Sequence, residues 1–154
     1  MSQFEFTVTE QPQELLLYGI SMLSGRRSAH IDRQTMAGLY RNIIGEAASA
    51  QPLWTVVSDF DETSQTFSLF VGGEKPNGEL SALTLPEGAY ARTVSRPSFR
   101  LTAARNAEKA ARAFYREWLP ASGYTALPLF YEKQGDSGDT DAPQSLCFAL
   151  LPEA

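Results

Sequence analysis

The chain has 154 residues, of which 43% are hydrophobic and 20% are charged, and its formal net charge is -5. This length and composition are typical of one soluble, packed domain and exclude a disordered chain. The acidic balance and the lack of Lys and Arg clusters argue against direct binding to nucleic acid, which needs cationic side chains against the phosphates.

The first half of the chain predicts two strands, a helix and two further strands. The predicted strands span residues 4–10, 14–22, 54–60 and 66–71. Between the two pairs, apolar residues recur at helical spacing, with Asp32 as the predicted N-cap and Gln51-Pro52 as the stop. The apolar stripe of this helix comprises Ile31, Met36, Leu39, Tyr40, Ile43, Ile44 and Ala47.

The second half of the chain repeats this order of elements. The predicted strands span residues 79–85, 89–94, 129–132 and 146–151, and the predicted helix spans residues 103–119. One side of the helix carries Ala107, Ala110, Ala111, Phe114, Tyr115 and Trp118. Residues 135–143 are rich in Gly and Asp and end in Pro, which is typical of a solvated loop.

The common order of the two halves predicts an internal duplication. Pro12 and Pro86 are separated in sequence by the same distance as Trp54 and Pro128. We therefore expect an α+β domain over residues 1–154, built from two ββαββ units at about 1–74 and 79–154 with pseudo-twofold symmetry. Such units would form an antiparallel sheet with two long helices on one face and a central cleft, where a small-molecule site is usually built.

Membrane insertion and metal chemistry find no support in the sequence. No apolar run approaches the roughly 20 residues of a spanning helix, and the polar start lacks the pattern of a signal peptide. A single cysteine, Cys147, and a single histidine provide no zinc ligand set and no internal disulfide. We expect a cytoplasmic protein with no cofactor and no metal.

Three segments of the chain resemble the GyrI-like effector-binding domain. They are residues 85–91 (LPEGAYA), residues 115–124 (YREWLPASGY) and the strand with Phe130-Tyr-Glu132. The Trp-Leu-Pro-x-Ser-Gly-Tyr run is the most specific of them. In the first half, residues 54–60 and 67–72 resemble the paired strands that follow the first helix of the family, so the resemblance covers nearly the whole chain.

The resemblance implies a small-molecule sensor. This module is attached to AraC- and MerR-type regulators and also occurs alone, including in integron-associated proteins. It implies a duplicated α+β fold whose central cleft accepts hydrophobic, often cationic, ligands. The candidate ligand-binding residues are Tyr40, Trp54, Tyr90, Phe114, Trp118, Tyr131 and Glu132. The alternative for the helical aromatics is ordinary core packing, and for Glu132 an exposed position at a strand end.

The orientation of Glu132 is left open by the sequence. The family usually places a carboxylate on the strand after the second helix. Matching Phe130 to the family puts Tyr131 at that position, whereas a one-residue bulge restores Glu132. Because side chains alternate between the faces of a strand, the choice decides whether the acid faces the cleft and attracts an organic cation, or whether the cleft favours neutral apolar ligands.

The leading hypothesis is a non-enzymatic domain that binds a hydrophobic or cationic small molecule and takes part in transcriptional regulation or drug sensing. One alternative is a GyrI-like hydrolase in which a cleft glutamate, Glu132, activates water. The other is a gyrase-inhibitor-like module that binds a protein partner, either a regulator or gyrase. That module predicts an exposed apolar patch outside the cleft.

Overall fold

One antiparallel sheet and two helical segments make up the computed structural model, which describes residues 4–45, 52–95, 103–136 and 144–151. The strands are β1 (Thr7–Gln11), β2 (Leu15–Gly25), β3 (Pro52–Asp61), β4 (Thr66–Gly73), β5 (Ser81–Leu85), β6 (Gly88–Ser95), β7 (Ala126–Asp136) and β8 (Gln144–Leu150). The helices are α1 (Ala29–Ile44) and α2 (Ala103–Ala113), and a π-helical turn (Phe114–Trp118) continues α2 into α3 (Leu119–Ser122).

The eight strands lie in the order β1-β6-β8-β7-β3-β4-β2-β5, and every neighbouring pair is antiparallel. The predicted α+β class with an antiparallel sheet is confirmed. The predicted strands and helices are present in the predicted order, with shifted ends. The predicted helix stop at Gln51, the stripe residue Ala47 and most of the predicted loop at 135–143 lie outside the described residues. Within the described ranges, no helix is long and apolar enough to cross a membrane.

The start of α1 differs from the prediction. The helix begins at Ala29 after Ser28, so Asp32 lies in its first turn and is not the N-cap. The Asp32 carboxylate accepts hydrogen bonds from the hydroxyls of Ser24 at 2.6 Å and Ser28 at 2.9 Å. It therefore connects the preceding segment to the helix, and its negative charge interacts favourably with the positive end of the helix dipole.

The buried face of α1 is also rotated from the predicted stripe. Met36 and Tyr40 are buried as expected, but Ile31 and Leu39 are 62% and 49% exposed. On a repeat of 3.6 residues, the positions that face the sheet include Arg33, whose polarity excluded it from the stripe. The prediction was wrong for Ile31 and Leu39 because an arginine that is only partly exposed on the sheet-facing side breaks the apolar pattern.

The second helix ends in the unusual YREWLPASGY segment. Pro120 has no N–H and its ring crowds the carbonyl one turn earlier, so a regular α-helical turn cannot form there. The helix widens into the π-helical turn, in which the Leu119 N–H donates to the Phe114 carbonyl. Gly123 then ends the helix with a positive φ of 81°, which glycine adopts without a steric cost.

The connections between strands require the sheet to roll. β1 ends at Gln11 and β2 begins at Leu15, although these strands are first and seventh in the sheet, and β5 ends at Leu85 while β6 begins at Gly88, although these are last and second. Such links reach about 10 to 14 Å, whereas six strand spacings in a flat sheet cover about 29 Å. The two sheet edges therefore come close together, and the Gln11 side-chain amide donates to the Pro86 carbonyl at 3.2 Å between them.

Rolling divides the core into an outer and an inner layer. Val57 packs with the α1 cluster and Phe130 with the α2 cluster, and these two residues pair across β3 and β7, so both helices cover the same, outer face. The buried inner-face residues are Leu17, Trp54, Val56, Phe70, Leu85, Tyr90, Tyr131, Cys147 and Ala149. No described helix packs on this inner layer; the curvature of the sheet itself buries it.

Candidate functional site

A pocket of about 300 Å³ opens on the inner face of the rolled sheet. The residues that line it are Thr9, Glu10, Gln11, Pro12, Trp54, Tyr90, Arg92, Tyr131, Lys133, Ser145 and Cys147. They come from β1 and the turn after it, from β3 and from β6, β7 and β8. We call this site the inner pocket.

Three aromatic rings form one wall of the inner pocket. The centroids of Trp54 and Tyr131 are 5.4 Å apart, and those of Tyr90 and Tyr131 are also 5.4 Å apart with the rings nearly perpendicular. Such spacings are typical of favourable aromatic pairs. The strand register produces this cluster, because β3 and β8 both neighbour β7, and β6 neighbours β8.

The tyrosine hydroxyls of this wall are held by the turns that close the roll. The Tyr90 hydroxyl donates to the Pro86 carbonyl at 2.6 Å, and the Tyr131 hydroxyl donates to Gln11 Oε1 at 3.2 Å. Because both hydroxyls have internal partners, the rings offer a ligand mainly their apolar faces and edges.

The titratable groups of this wall are neutral near pH 7. Burial raises the pKa of Tyr90 to about 12, with a smaller contribution from Cys147, and burial also raises the pKa of Tyr131. Burial raises the pKa of the Cys147 thiol as well, although a hydrogen bond with Tyr131 and the charge of Arg92 oppose the rise. Cys147 is therefore a neutral thiol in the pocket wall.

We expect an alkaline titration to detect the raised pKa of Tyr90. A tyrosine whose pKa is higher in the folded state contributes stability that is present below pH 10 and is lost as the pH rises towards 12. Tyrosinate absorbance of the wild type should therefore include a late step near pH 12 that Tyr90→Phe lacks. If the two proteins differ only near pH 10, the ordinary value, the prediction is wrong.

Among the described residues, the charged ones that line the inner pocket are Glu10, Arg92 and Lys133. The Lys133 ammonium lies 5.0 Å from the centroid of the Trp54 ring, at a distance typical of a cation–π contact. The Arg92 guanidinium donates to the Ser145 hydroxyl at 3.2 Å. The indole N–H of Trp54 is buried and has no hydrogen-bond partner within the described part of the chain.

Three of the predicted site residues belong to the helical segments on the outer side of the sheet. Tyr40 is buried with its hydroxyl against the backbone of Gly73. Phe114 is fully buried, and its ring stacks on Phe148 at 4.3 Å. Trp118 stacks on Tyr124 at 6.0 Å and also lines a second, apolar cavity of about 270 Å³ beside the start of the chain. The structure thus brings together Trp54, Tyr90 and Tyr131, and it places the other three aromatic residues on the opposite side of the sheet.

The orientation of Glu132, the seventh predicted residue, follows the alternation of side chains along β7, which a two-residue slip in strand register leaves unchanged. Between Ala126 and Phe130 the pairing of β7 with β8 is irregular, in a segment that contains Pro128, which cannot donate to the ladder. Beyond the slip, Tyr131 faces the inner pocket and Glu132 faces the helices.

Glu132 belongs to a buried polar network between the two helices. It is 2% exposed and forms an ion pair with Arg33 of α1. The Gln144 side chain also hydrogen-bonds to it and accepts a 2.6 Å hydrogen bond from Asn106 of α2, whose side-chain oxygen in turn accepts from Ser95. Burial raises the pKa of Glu132, and the Arg33 charge and the two hydrogen bonds oppose that rise. This network connects α1, the sheet and α2.

Sequence reasoning missed the polar members of the inner pocket. Gln11, Arg92, Lys133 and Cys147 share a face with the aromatic cluster only because of how the strands pair. Arg92 lies two residues after Tyr90 on β6, and Lys133 lies two residues after Tyr131 on β7. Because side chains two positions apart on a strand point to the same side, Arg92 and Lys133 share a side with the two tyrosines. This two-residue repeat was the one signal in the sequence, but using it requires knowing which residues of each strand face the pocket.

The fold is that of an α+β domain in which one antiparallel sheet rolls around an aromatic pocket. Several solved structures resemble the chain in overall fold, among them the following three. SAV2435, solved bound to tetraphenylphosphonium, is 12% identical, with a TM-score of 0.62 over 96% of this chain and 94% of that one. The EcmrR C-terminal domain is 13% identical, with a TM-score of 0.61 over 99% of this chain and 100% of that one. A hydrolase encoded by lin2189 of Listeria innocua is 8% identical, with a TM-score of 0.52 over 96% of this chain and 92% of that one.

At these identities the likeness concerns the fold. It confirms at that level the resemblance to the GyrI-like effector-binding domain. No family model matches the sequence, and no curated protein matches it.

Proposed function

We propose that the chain is a small-molecule-binding domain of the effector-sensing type and that it holds a flat hydrophobic ligand in the inner pocket. The observation that carries this proposal is the convergence of Trp54, Tyr90 and Tyr131 on a concave, helix-free face. The volume of about 300 Å³ is at the lower end of the range for small-molecule sites. A ligand of one or two fused rings suits this space.

The neighbours in fold support a sensing role linked to transcription. SAV2435 was solved bound to an organic small molecule. EcmrR was solved in a complex with DNA, and the domain of it that resembles this chain is also described by itself as the C-terminal domain. We propose that ligand binding in this chain is likewise read out by a regulator, through a partner protein or through further sequence. Fold likeness alone does not transfer function, so the proposal depends on the pocket.

We also propose that the domain is a duplication whose halves meet at the pocket. Read from one edge, the sheet runs β5-β2-β4-β3, and read from the other it runs β1-β6-β8-β7. Each strand of the first half then has its counterpart in the second, except that β1 and β5 are exchanged between halves. Trp54 of β3 and Tyr131 of β7 come from the two central strands, and the exchange supports a single domain over residues 1–154 with half-repeats at about 1–74 and 79–154.

The two tryptophans of the chain allow a test that also locates the ligand. Trp54 lines the inner pocket, whereas Trp118 lies on the helix side of the sheet. We expect neutral 1-naphthylamine to quench the fluorescence of Trp118→Phe, which retains Trp54, and to leave that of Trp54→Phe nearly unchanged. Tyr131→Leu should weaken binding by about fivefold, because aromatic contacts contribute about 1 kcal/mol beyond the area they bury.

The opposite pattern would contradict the proposal. Quenching that follows Trp118 would move the ligand to the helix side, where Tyr40, Phe114, Trp118 and Glu132 lie. No quenching of either variant, in samples with cooperative thermal unfolding, would remove the support for a small-molecule site and favour the predicted protein-binding module.

The position of Glu132 favours binding over hydrolysis at the inner pocket. The hydrolase alternative requires this carboxylate to activate water beside the ligand, but it faces the helices, is 2% exposed and is paired with Arg33. The carboxylate among the described lining residues is Glu10, which is exposed.

A further inference from the structure

The charge lining the inner pocket is more positive than that of the protein as a whole. The chain has a net charge of -5, but the charged residues that line the pocket, among those described, are Arg92, Lys133 and Glu10. Lys133 is partly buried, whereas Arg92 and Glu10 are both exposed and more strongly screened by solvent, so Lys133 leaves an excess of positive charge. The local potential therefore favours an anion.

The position that an organic cation would take in an aromatic site is already filled. Cations bind over the face of an indole ring, and Lys133 supplies a cation there, 5.0 Å from the centroid of Trp54. A cationic ligand would have to displace this ammonium and tolerate its repulsion. An anionic ligand could keep the contact and pair with the same ammonium.

Among the described residues, no buried carboxylate on the inner face offsets these charges. Glu132, which precedes Lys133 on β7, faces the opposite side of the sheet and is neutralised by Arg33. The phenols of Tyr90 and Tyr131 stay protonated, as their hydrogen bonds to Pro86 and Gln11 require. The buried indole N–H of Trp54 is a further donor without an acceptor in the described part of the chain.

We infer that the inner pocket selects an aromatic anion, such as a fused-ring carboxylate, whose rings contact Trp54, Tyr90 and Tyr131 and whose charge pairs with Lys133 and Arg92. This inference rests on the proposed function, since it names the ligand class of the same site. It differs from the cationic class that the resemblance implies.

Three naphthalene compounds of nearly equal shape test the inference: naphthoate, neutral naphthamide and cationic naphthylmethylammonium. We expect naphthoate to bind the wild-type protein at least about tenfold more tightly than naphthylmethylammonium. Lys133→Met should weaken naphthoate by roughly threefold to tenfold and leave naphthamide within about twofold, because methionine keeps an apolar stem over Trp54. Added KCl should weaken the binding of naphthoate and leave that of naphthamide unchanged.

Three further variants serve as control and cross-checks. Lys109→Met removes the same charge from an exposed position on α2 and should leave naphthoate binding unchanged. Arg92→Met removes the second cation from a different strand, so the inference remains testable even if Lys133→Met folds poorly. Glu10→Gln should tighten naphthoate binding.

Each remaining outcome decides a separate question. If naphthamide binds but naphthylmethylammonium equals or exceeds naphthoate, or if Lys133→Met and Arg92→Met both behave like Lys109→Met, the anion inference is overturned and the proposed function stands. If none of the three compounds binds a folded wild-type protein, both fall together.

Discussion

Glu132→Gln is expected to lower the free energy of unfolding by about 3 kcal/mol, because it leaves the Arg33 guanidinium without its counter-ion. The Arg33 side chain is 16% exposed, so water replaces little of the lost interaction. Gln144 would also lose a charged acceptor. Denaturant unfolding followed by circular dichroism measures the change.

A double-mutant comparison separates the ion pair from general disruption of the core. Adding Arg33→Met to Glu132→Gln removes the stranded charge and should recover at least about 1 kcal/mol of the loss. Arg112→Met is the matched control, since its pair with Glu108 is exposed, and it should cost less than about 0.5 kcal/mol. A loss for Glu132→Gln no larger than that of the control would show that the buried pair is not a structural link.

Gly72→Ala is expected to cost about 3 kcal/mol, because the paired strands β2 and β4 approach too closely for a side chain there. Gly72 pairs with Gly19, and a methyl group at Gly72 would lie 2.7 Å from the Gly19 Cα and would also overlap the Tyr18 carbonyl oxygen. These are backbone atoms, so relief requires the strands to move apart. Thermal unfolding should show a decrease in Tm of roughly 10 °C.

The matched control for this substitution is Gly38→Ala in the middle of α1. A methyl group there meets nothing within 4 Å, and alanine favours the helix, so we expect a gain of about 0.5 to 1 kcal/mol. Opposite signs for the two glycine substitutions would support the close approach of the strands. If Gly72→Ala does not change the stability, β2 and β4 do not approach each other closely at this point.

Local patterns in the sequence were sufficient for the order of elements. Alternating and continuous apolar runs identified the strands, since side-chain alternation is a property of each strand by itself. The turns at Pro12 and Pro86 were located because proline restricts the backbone locally. The same reasoning failed where tertiary contacts override a local pattern, as at the sheet-facing Arg33 and at the exposed Ile31 and Leu39.

The aromatic residues show the limit of reading function from a pattern. Seven residues were predicted to share one site, and the structure brings together Trp54, Tyr90 and Tyr131 on the inner face. Phe114 and Trp118 form a packed aromatic layer with their neighbours, which was the alternative weighed for a helical stripe. Nothing in the composition of these segments distinguishes a ring that lines a pocket from one that fills a core.

The chain's own residues thus determined its class, its elements and the set of aromatic candidates, because these depend on neighbours in sequence. The curvature of the sheet and the side of it that each residue faces were decided only in the tertiary structure. The short links at Pro12 and Pro86 force the sheet to roll, and the pairing of β7 with β3 and β8 places Tyr131 on the inner face and Glu132 towards Arg33. Pairing between strands distant in sequence sets both features, and it makes the pocket wall cationic rather than acidic.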